Sequence, residues 1–261
     1  MSLVTIDTRR SPLARVNALS KLAATLVIGV ALLLSIDPVS AGVSLGLTLL
    51  VLPLARLPWR ELWLRVWPIA LAAAIASAGT VLYGRPAGEM HVEWGILRIS
   101  DGSLSLALAI LLRVLAIAVP SIVLFATTDP TDLADALAQL ARLPARFVLG
   151  ALAGLRLVGL LIDDWRELGH ARRARGVADT GRLRRVAGQT FALFVLAIRR
   201  GTKLATAMEA RGFGSSQPRT WARVSRLHAR DAGMVLLAVA IAAVAVTAAV
   251  VTGSWSYVLD L

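Results

Sequence analysis

Five apolar runs, each holding at most one charged residue, constrain the fold more than anything else in this chain: Ala18 to Ile36, Val39 to Ala55, Leu62 to Tyr83, Leu104 to Thr127 and Ala232 to Thr252. About 20 apolar residues in a helix cross a hydrocarbon core about 30 Å thick. A helix also satisfies its own backbone hydrogen bonds there, as lipid requires. The residues are 57% hydrophobic and 17% charged, which argues against a water-soluble single-core domain. Val39-Ser40-Ala41 loosely resembles a leader cleavage site. The preceding run is long for a leader and further spans follow, so Ala18 to Ile36 is read as the first span.

Loop charge orients the set, because Lys and Arg resist translocation. The N-terminal segment carries Arg9, Arg10 and Arg15, and the 55–65 region carries Arg56, Arg60 and Arg65. The 36–39 turn has no basic residue, and the 84–103 loop has only Arg85 and Arg98. The N-terminus is therefore expected in the cytoplasm, in a multi-pass protein of the cell (inner or plasma) membrane. The net charge of +12 fits cytoplasmic loops beside anionic lipid, not nucleic acid. Without cysteine there is no disulfide, thiolate metal site or cysteine nucleophile. His91, His170 and His228 match no metal-ligand spacing, so no metal or other cofactor is expected.

Beyond residue 127 the pattern changes. TTDPTDLADALAQLARLP (127–144) reads as a capped amphipathic helix with an acidic start, Leu133, Leu137 and Leu140 on one side, and Pro144 as its stop. Ala145 to Ile162 is apolar enough to span, although Arg156 interrupts it. A crossing there would place Arg166, Arg172, Arg173, Arg175, Arg182, Arg184 and Arg185 outside, and Val186 to Ile198 is too short to return. Residues 145–198 are therefore expected to form a bent helical hairpin that dips into the membrane or packs on the bundle. The predicted class is an all-α polytopic bundle of five or six spans with long cytoplasmic amphipathic helices. Its parts are 1–127, N-terminal spans; 128–230, a cytoplasmic region with the hairpin; and 231–261, a final span opened by Asp231 and a short tail.

Within the basic region a sequence recurs. LGHARRARG (168–176) and LATAMEARG (204–212) share Leu-x-x-Ala-x-x-Ala-Arg-Gly: Leu168, Ala171, Ala174, Arg175 and Gly176 correspond to Leu204, Ala207, Ala210, Arg211 and Gly212. Positions seven apart on a helix differ by about 20°, so each Arg lies on the face of its Leu. Each copy is expected to be a short helix with an apolar stripe ending in a guanidinium. Arg in a last turn and Gly just beyond it are also ordinary helix-stop features. Ala14-Arg15, Ala55-Arg56, Ala141-Arg142 and Ala145-Arg146 lack the Gly, however, and only these two stretches share the longer pattern. Small residues admit a close groove, Leu supplies apolar burial and Arg grips a carboxylate at two points. Two copies suit two equivalent grooves, as in a dimer of ATPases.

These stretches, with NALSKLAATLV (17–27), LLRVLAIAVPSIVLFATTDPTDLADALAQLARLP (111–144), LRLVGLLIDDWRELGHARRARG (155–176) and AMEARGFG (207–214), give the chain a resemblance to a known family. It resembles the transmembrane T component of energy-coupling factor (ECF) vitamin and metal transporters, the family that includes the cobalt-transport permease subunit. The resemblance implies that Ala174, Arg175, Gly176 and Ala210, Arg211, Gly212 end coupling helices seated in two ATPase subunits, with Leu168, Ala171, Leu204 and Ala207 on the supporting faces. It also implies a substrate-binding membrane subunit as partner, ATP and magnesium held by the ATPases, and no catalysis by this chain. The chain has no Gly-x-x-x-x-Gly-Lys-Ser/Thr phosphate loop, in keeping with that division of labour.

Other residues suggest rival readings. Arg113 lies inside the fourth span, where a charge faces the bundle interior or water; it is expected to pair with an acid, brace a subunit contact or snorkel. Asp163 and Asp164 in DDWRE suggest magnesium-bound diphosphate in a membrane enzyme, although no second matching acidic cluster is evident beside Asp129, Asp132 and Asp135. GVSLG (42–46) and GALAG (150–154) permit close helix approach. A stand-alone secondary transporter is expected to show inverted repeats, which these dissimilar halves do not.

Overall fold

Each of the five apolar runs folds as a helix whose ends lie within three residues of the sequence expectation, the second reaching its expected end through a 3₁₀ turn. The computed structural model describes residues 11–83, 90–94, 97–176, 181–215 and 220–255. The spans are α1 (Ala18–Leu33), α2 (Pro38–Val51, extended by a 3₁₀ turn at Leu52–Ala55), α3 (Trp59–Tyr83) and α4 (Asp101–Ala126). The last of the five runs forms the final long helix, Ala229–Val251. Between α3 and α4 lies an element absent from the all-helical expectation: β1 (Met90–Trp94) pairs antiparallel with β2 (Leu97–Ser100). The apolar-polar alternation of MHVEW gives it the period of a strand, but over five residues only.

After α4 come α5 (Pro130–Gln139), α6 (Ala145–Ala174) and α7 (Arg182–Ala210), so the final helix is α8. The α5 helix starts as expected, with Asp129 Oδ1 accepting the Thr131 N–H at 2.7 Å. It stops earlier than expected, at Gln139, and Pro144 is the N-cap of α6. Proline lacks the N–H that a helix start leaves unsatisfied, so it serves an N-terminus as readily as it blocks a continuation. Residues 145–198 fall in a helical hairpin: α6, of 30 residues, and α7, of 29, are each continuous and pair antiparallel.

The chain forms two compact units, Met1–Ala136 with Ser225–Leu261, and Leu137–Val224. In the first, Ala24, Ile28 and Leu32 of α1 pack with Ala116 of α4 and with Ala238 and Ile241 of α8. Leu52, Leu62 and Val123 form a second cluster joining the end of α2 to α3 and α4. Polar ties gather the same helices at one end. Lys21, 2% exposed, donates to the Thr127 carbonyl at the end of α4 at 2.8 Å. Asp231 accepts the backbone N–H groups of Asn17 and His228, each at 2.6 Å, and Ser11 Oγ donates to the Ala55 carbonyl at 2.6 Å. At the other end of α1 the buried turn into α2 satisfies itself, because Asp37 accepts from Ser35 Oγ, Ser40 Oγ and the Ser40 N–H.

By length and composition α2 with its extension, α3, α4, α6 and α8 could each cross a membrane, while α1 is shorter. The second unit is inserted into the first, which the chain leaves within α5 and re-enters before α8. In that inserted unit α7 mixes Arg184, Arg185, Arg199, Arg200 and Lys203 into its apolar residues, which sets it apart from the candidate spans.

Asp231→Ala removes the acceptor of two backbone N–H groups at a site 2% exposed. It is expected to cost about 3 kcal/mol. Thermal unfolding of the detergent-purified chain should show the midpoint lowered by several degrees.

Candidate functional site

The two Ala-Arg-Gly triplets occupy equivalent places. Ala174 is the last residue of α6 and Arg175 its C-cap; Ala210 is the last residue of α7 and Arg211 its C-cap. Gly176 and Gly212 follow with φ of +68° and +78°, a left-handed conformation that a side chain disfavours and glycine adopts freely. At the first end the Gly176 N–H bonds the Arg173 carbonyl at 3.1 Å. At the second the Gly212 N–H reaches Glu209 at 2.9 Å and the Phe213 N–H reaches Met208 at 3.0 Å. These are the paired bonds of a Schellman stop, which satisfy carbonyls that a helix end leaves free.

Burial repeats as well. Leu168 and Leu204 are half-buried, whereas Ala171, Ala174, Arg175 and Gly176 and their counterparts Ala207, Ala210, Arg211 and Gly212 are all exposed. The structure differs from expectation in scale, since these are the last turns of two long helices and not short helices of their own. It does not bring the motifs together. Contacts between α6 and α7 run antiparallel, from Arg146 with Gly214, through Asp164 with Arg200, to Arg172 beside Gly188. Each motif Arg lies eleven residues beyond the Asp164–Arg200 contact, in opposite directions, so the two guanidiniums stand roughly 30 Å apart at 1.5 Å per residue.

The second end borders a cleft of about 1140 Å³ between α6 and α7. Leu149, Leu152, Leu157, Leu160, Leu204 and Met208 form its apolar lining, and Arg146, Arg156, Arg200 and Arg211 its charged one. Arg156, which interrupts the apolar run of α6, thus lines this cleft. Outside it, α6 exposes Phe147, Leu155, Val158 and Ile162, and α7 exposes Phe191, Phe194, Val195 and Ile198. The latter four follow the i, i+3, i+4, i+7 spacing of one helix face.

The remaining candidates separate. Asp163 is exposed and pairs with Arg166 on its own helix at 3.5 Å. Asp164 is buried and meets Arg200 of α7, with Nη2 donating to Oδ1 at 2.9 Å and Nη1 standing 2.5 Å from Oδ2, an ionic contact off the hydrogen-bond axis. The two adjacent acids therefore form no joint site. Arg200 escaped the sequence reading because its partner lies on another helix. Arg113 lies within α4, half-buried, with Nε and Nη2 enclosed and unbonded. Asp37 is the acid close enough to act on it electrostatically, but Ser35 and Ser40 already occupy that carboxylate.

Residues 9–220, from before α1 to beyond the second motif, match the family described as CbiQ, cobalt transport protein. The chain belongs to the CbiQ family. Among its CbiQ-like relatives is the energy-coupling factor transporter transmembrane protein EcfT of Limosilactobacillus fermentum, 32% identical over 200 residues that cover 72% of this chain and 74% of the relative. EcfT of Exiguobacterium sibiricum is 31% identical over 206 residues, covering 74% and 78%. EcfT of Streptococcus equi is 28% identical over 238 residues, covering 86% and 88%.

A Cβ at Gly212 meets nothing closer than Ser215 Oγ at 3.8 Å, so strain at this CbiQ helix stop comes from the backbone alone. Gly212→Ala is expected to cost about 1 kcal/mol and speed hydrogen exchange at the Phe213 amide about fivefold, with Gly212→Asn closer to the native rate.

Proposed function

We propose that the chain is the transmembrane coupling component of an energy-coupling factor importer for a vitamin or a transition-metal ion. It carries ATP-driven movement from two cytoplasmic ATPase subunits to a separate substrate-binding membrane subunit. It binds no cofactor and catalyses no reaction, while ATP and magnesium stay with the ATPases. The observation that carries this reading is the pair of matching helix ends, alike in sequence, backbone conformation and burial, in a chain of the CbiQ family. Two guanidiniums held apart on exposed Ala-rich turns suit two separate acidic grooves better than one small-molecule site. The apolar faces at Phe191–Ile198 and Phe147–Ile162 offer surface to the lipid boundary and to the substrate-binding subunit.

The Arg175→Ala, Arg211→Ala double variant should insert normally, yet lose stoichiometric co-purification of the ATPases or substrate uptake. Wild-type uptake by that variant would mean that the two arginines only finish their helices.

Sidedness follows from Arg15, Arg56, Arg60 and Arg65, which cluster at the end where α1 and α3 start and α2 stops. That end is the cytoplasmic one. In this cysteine-free chain, a membrane-impermeant thiol reagent on intact cells should modify Ser254→Cys, beyond α8, and spare Ser215→Cys; the opposite pattern would reverse the orientation.

A further inference from the structure

Asp164 and Arg200 are 36 residues apart, the same offset that lays LGHARRARG on LATAMEARG. The ion pair thus joins one repeat position of α6 to the same position of α7. It lies eleven residues, three helical turns, before Arg175 and eleven before Arg211. Where two copies of a repeated helix meet at their own equivalent position, identical charged residues would repel. At this position the copies instead carry opposite charges, and the acid is 7% exposed.

Among the described residues, little else in the hairpin fixes how far α6 is slid along α7. The Leu and Met side chains between them supply apolar contact, which is non-directional. Gly169 faces Gln189, Gly188 faces Arg172, and the Arg146 bond to the Gly214 carbonyl is exposed and 3.3 Å long, so these contacts use long side chains that can follow a shift. Among the described residues, Asp164–Arg200 is the ion pair between the two helices, its acid buried and its guanidinium partly exposed. Polar pairs with a buried member have their best-attested use in fixing register between helices.

We propose that Asp164 and Arg200 are positioning residues that pin the register of α6 on α7 and so set the span between the two Ala-Arg-Gly ends. A slip of one turn would move one end by about 5 Å relative to the other, enough to unseat one end while the other stays docked. The pin makes the hairpin a strut of fixed length, so force at one end reaches the other without sliding. Its transmitting role rests on the coupling function proposed above; its effect on the span does not.

The absence of cysteine allows a direct test on the full chain. Spin labels on Ala174→Cys and Ala210→Cys, both exposed and each ten residues past the pair, should give one narrow distance distribution near about 30 Å in pulsed dipolar EPR. Asp164→Asn, nearly isosteric, and Arg200→Gln should broaden or displace it, and the exchange Asp164→Arg, Arg200→Asp should restore it. An unchanged distribution in both single variants overturns the pin. In the assembled transporter without labels, Asp164→Asn should lower uptake per ATP hydrolysed about tenfold, with the ATPases still co-purifying, and the exchange should recover it. Undiminished uptake per ATP overturns the transmitting role. If the native chain retains no ATPase, the coupling function fails, and the distance measurement still decides the pin.

Discussion

Two buried charges at one end of the bundle, Lys21 and Asp231, hold the architecture together. Each sits 2% exposed in an apolar setting, where an unpaired charge is very costly. Lys21 finds the last carbonyl of α4 and lies in the field of Asp132 and Asp231, while Asp231 takes two backbone N–H groups at the starts of α1 and α8. Asn17 adds bonds to Ser225 Oγ and the Arg226 carbonyl. These contacts bind three helices by their ends, whereas the apolar cores between them are non-directional and would tolerate sliding.

The spans were legible in the sequence because lipid leaves a single-chain apolar run no option but a helix. Less legible were features that depend on partners distant along the chain. Nothing local to DDWRE separates Asp163 from Asp164, yet one is an exposed charge and the other is buried against a residue 36 positions on. Pro144 carried two opposite local meanings, stop and start, and the residues around it did not decide between them. The β1–β2 hairpin was too short for its alternation to stand out in a chain dominated by helical runs. The likeness of LGHARRARG to LATAMEARG carries a shared helix stop but not the length of helix leading to it.

The likeness of the two helix ends has limits. Gly176 and Gly212 adopt the same handedness, but the lead-in differs: Arg172 and Arg173 precede the first triplet, where Met208 and Glu209 precede the second. The second end also borders the large cleft, with Arg146 bonded across it to Gly214. Any partner that reads both ends meets one backbone shape in two side-chain settings. Two such settings permit a pair of related but non-identical partners to be told apart.

The segment carrying both ends is an insertion in the chain of the first unit, and Gln139 donates to the Arg223 carbonyl at 2.8 Å, tying the start of the insertion to its end. The core and the end ties of α1, α4 and α8 lie wholly within the other unit. Residues added to or removed from the insertion therefore leave those contacts intact, and the two units are free to change in sequence independently.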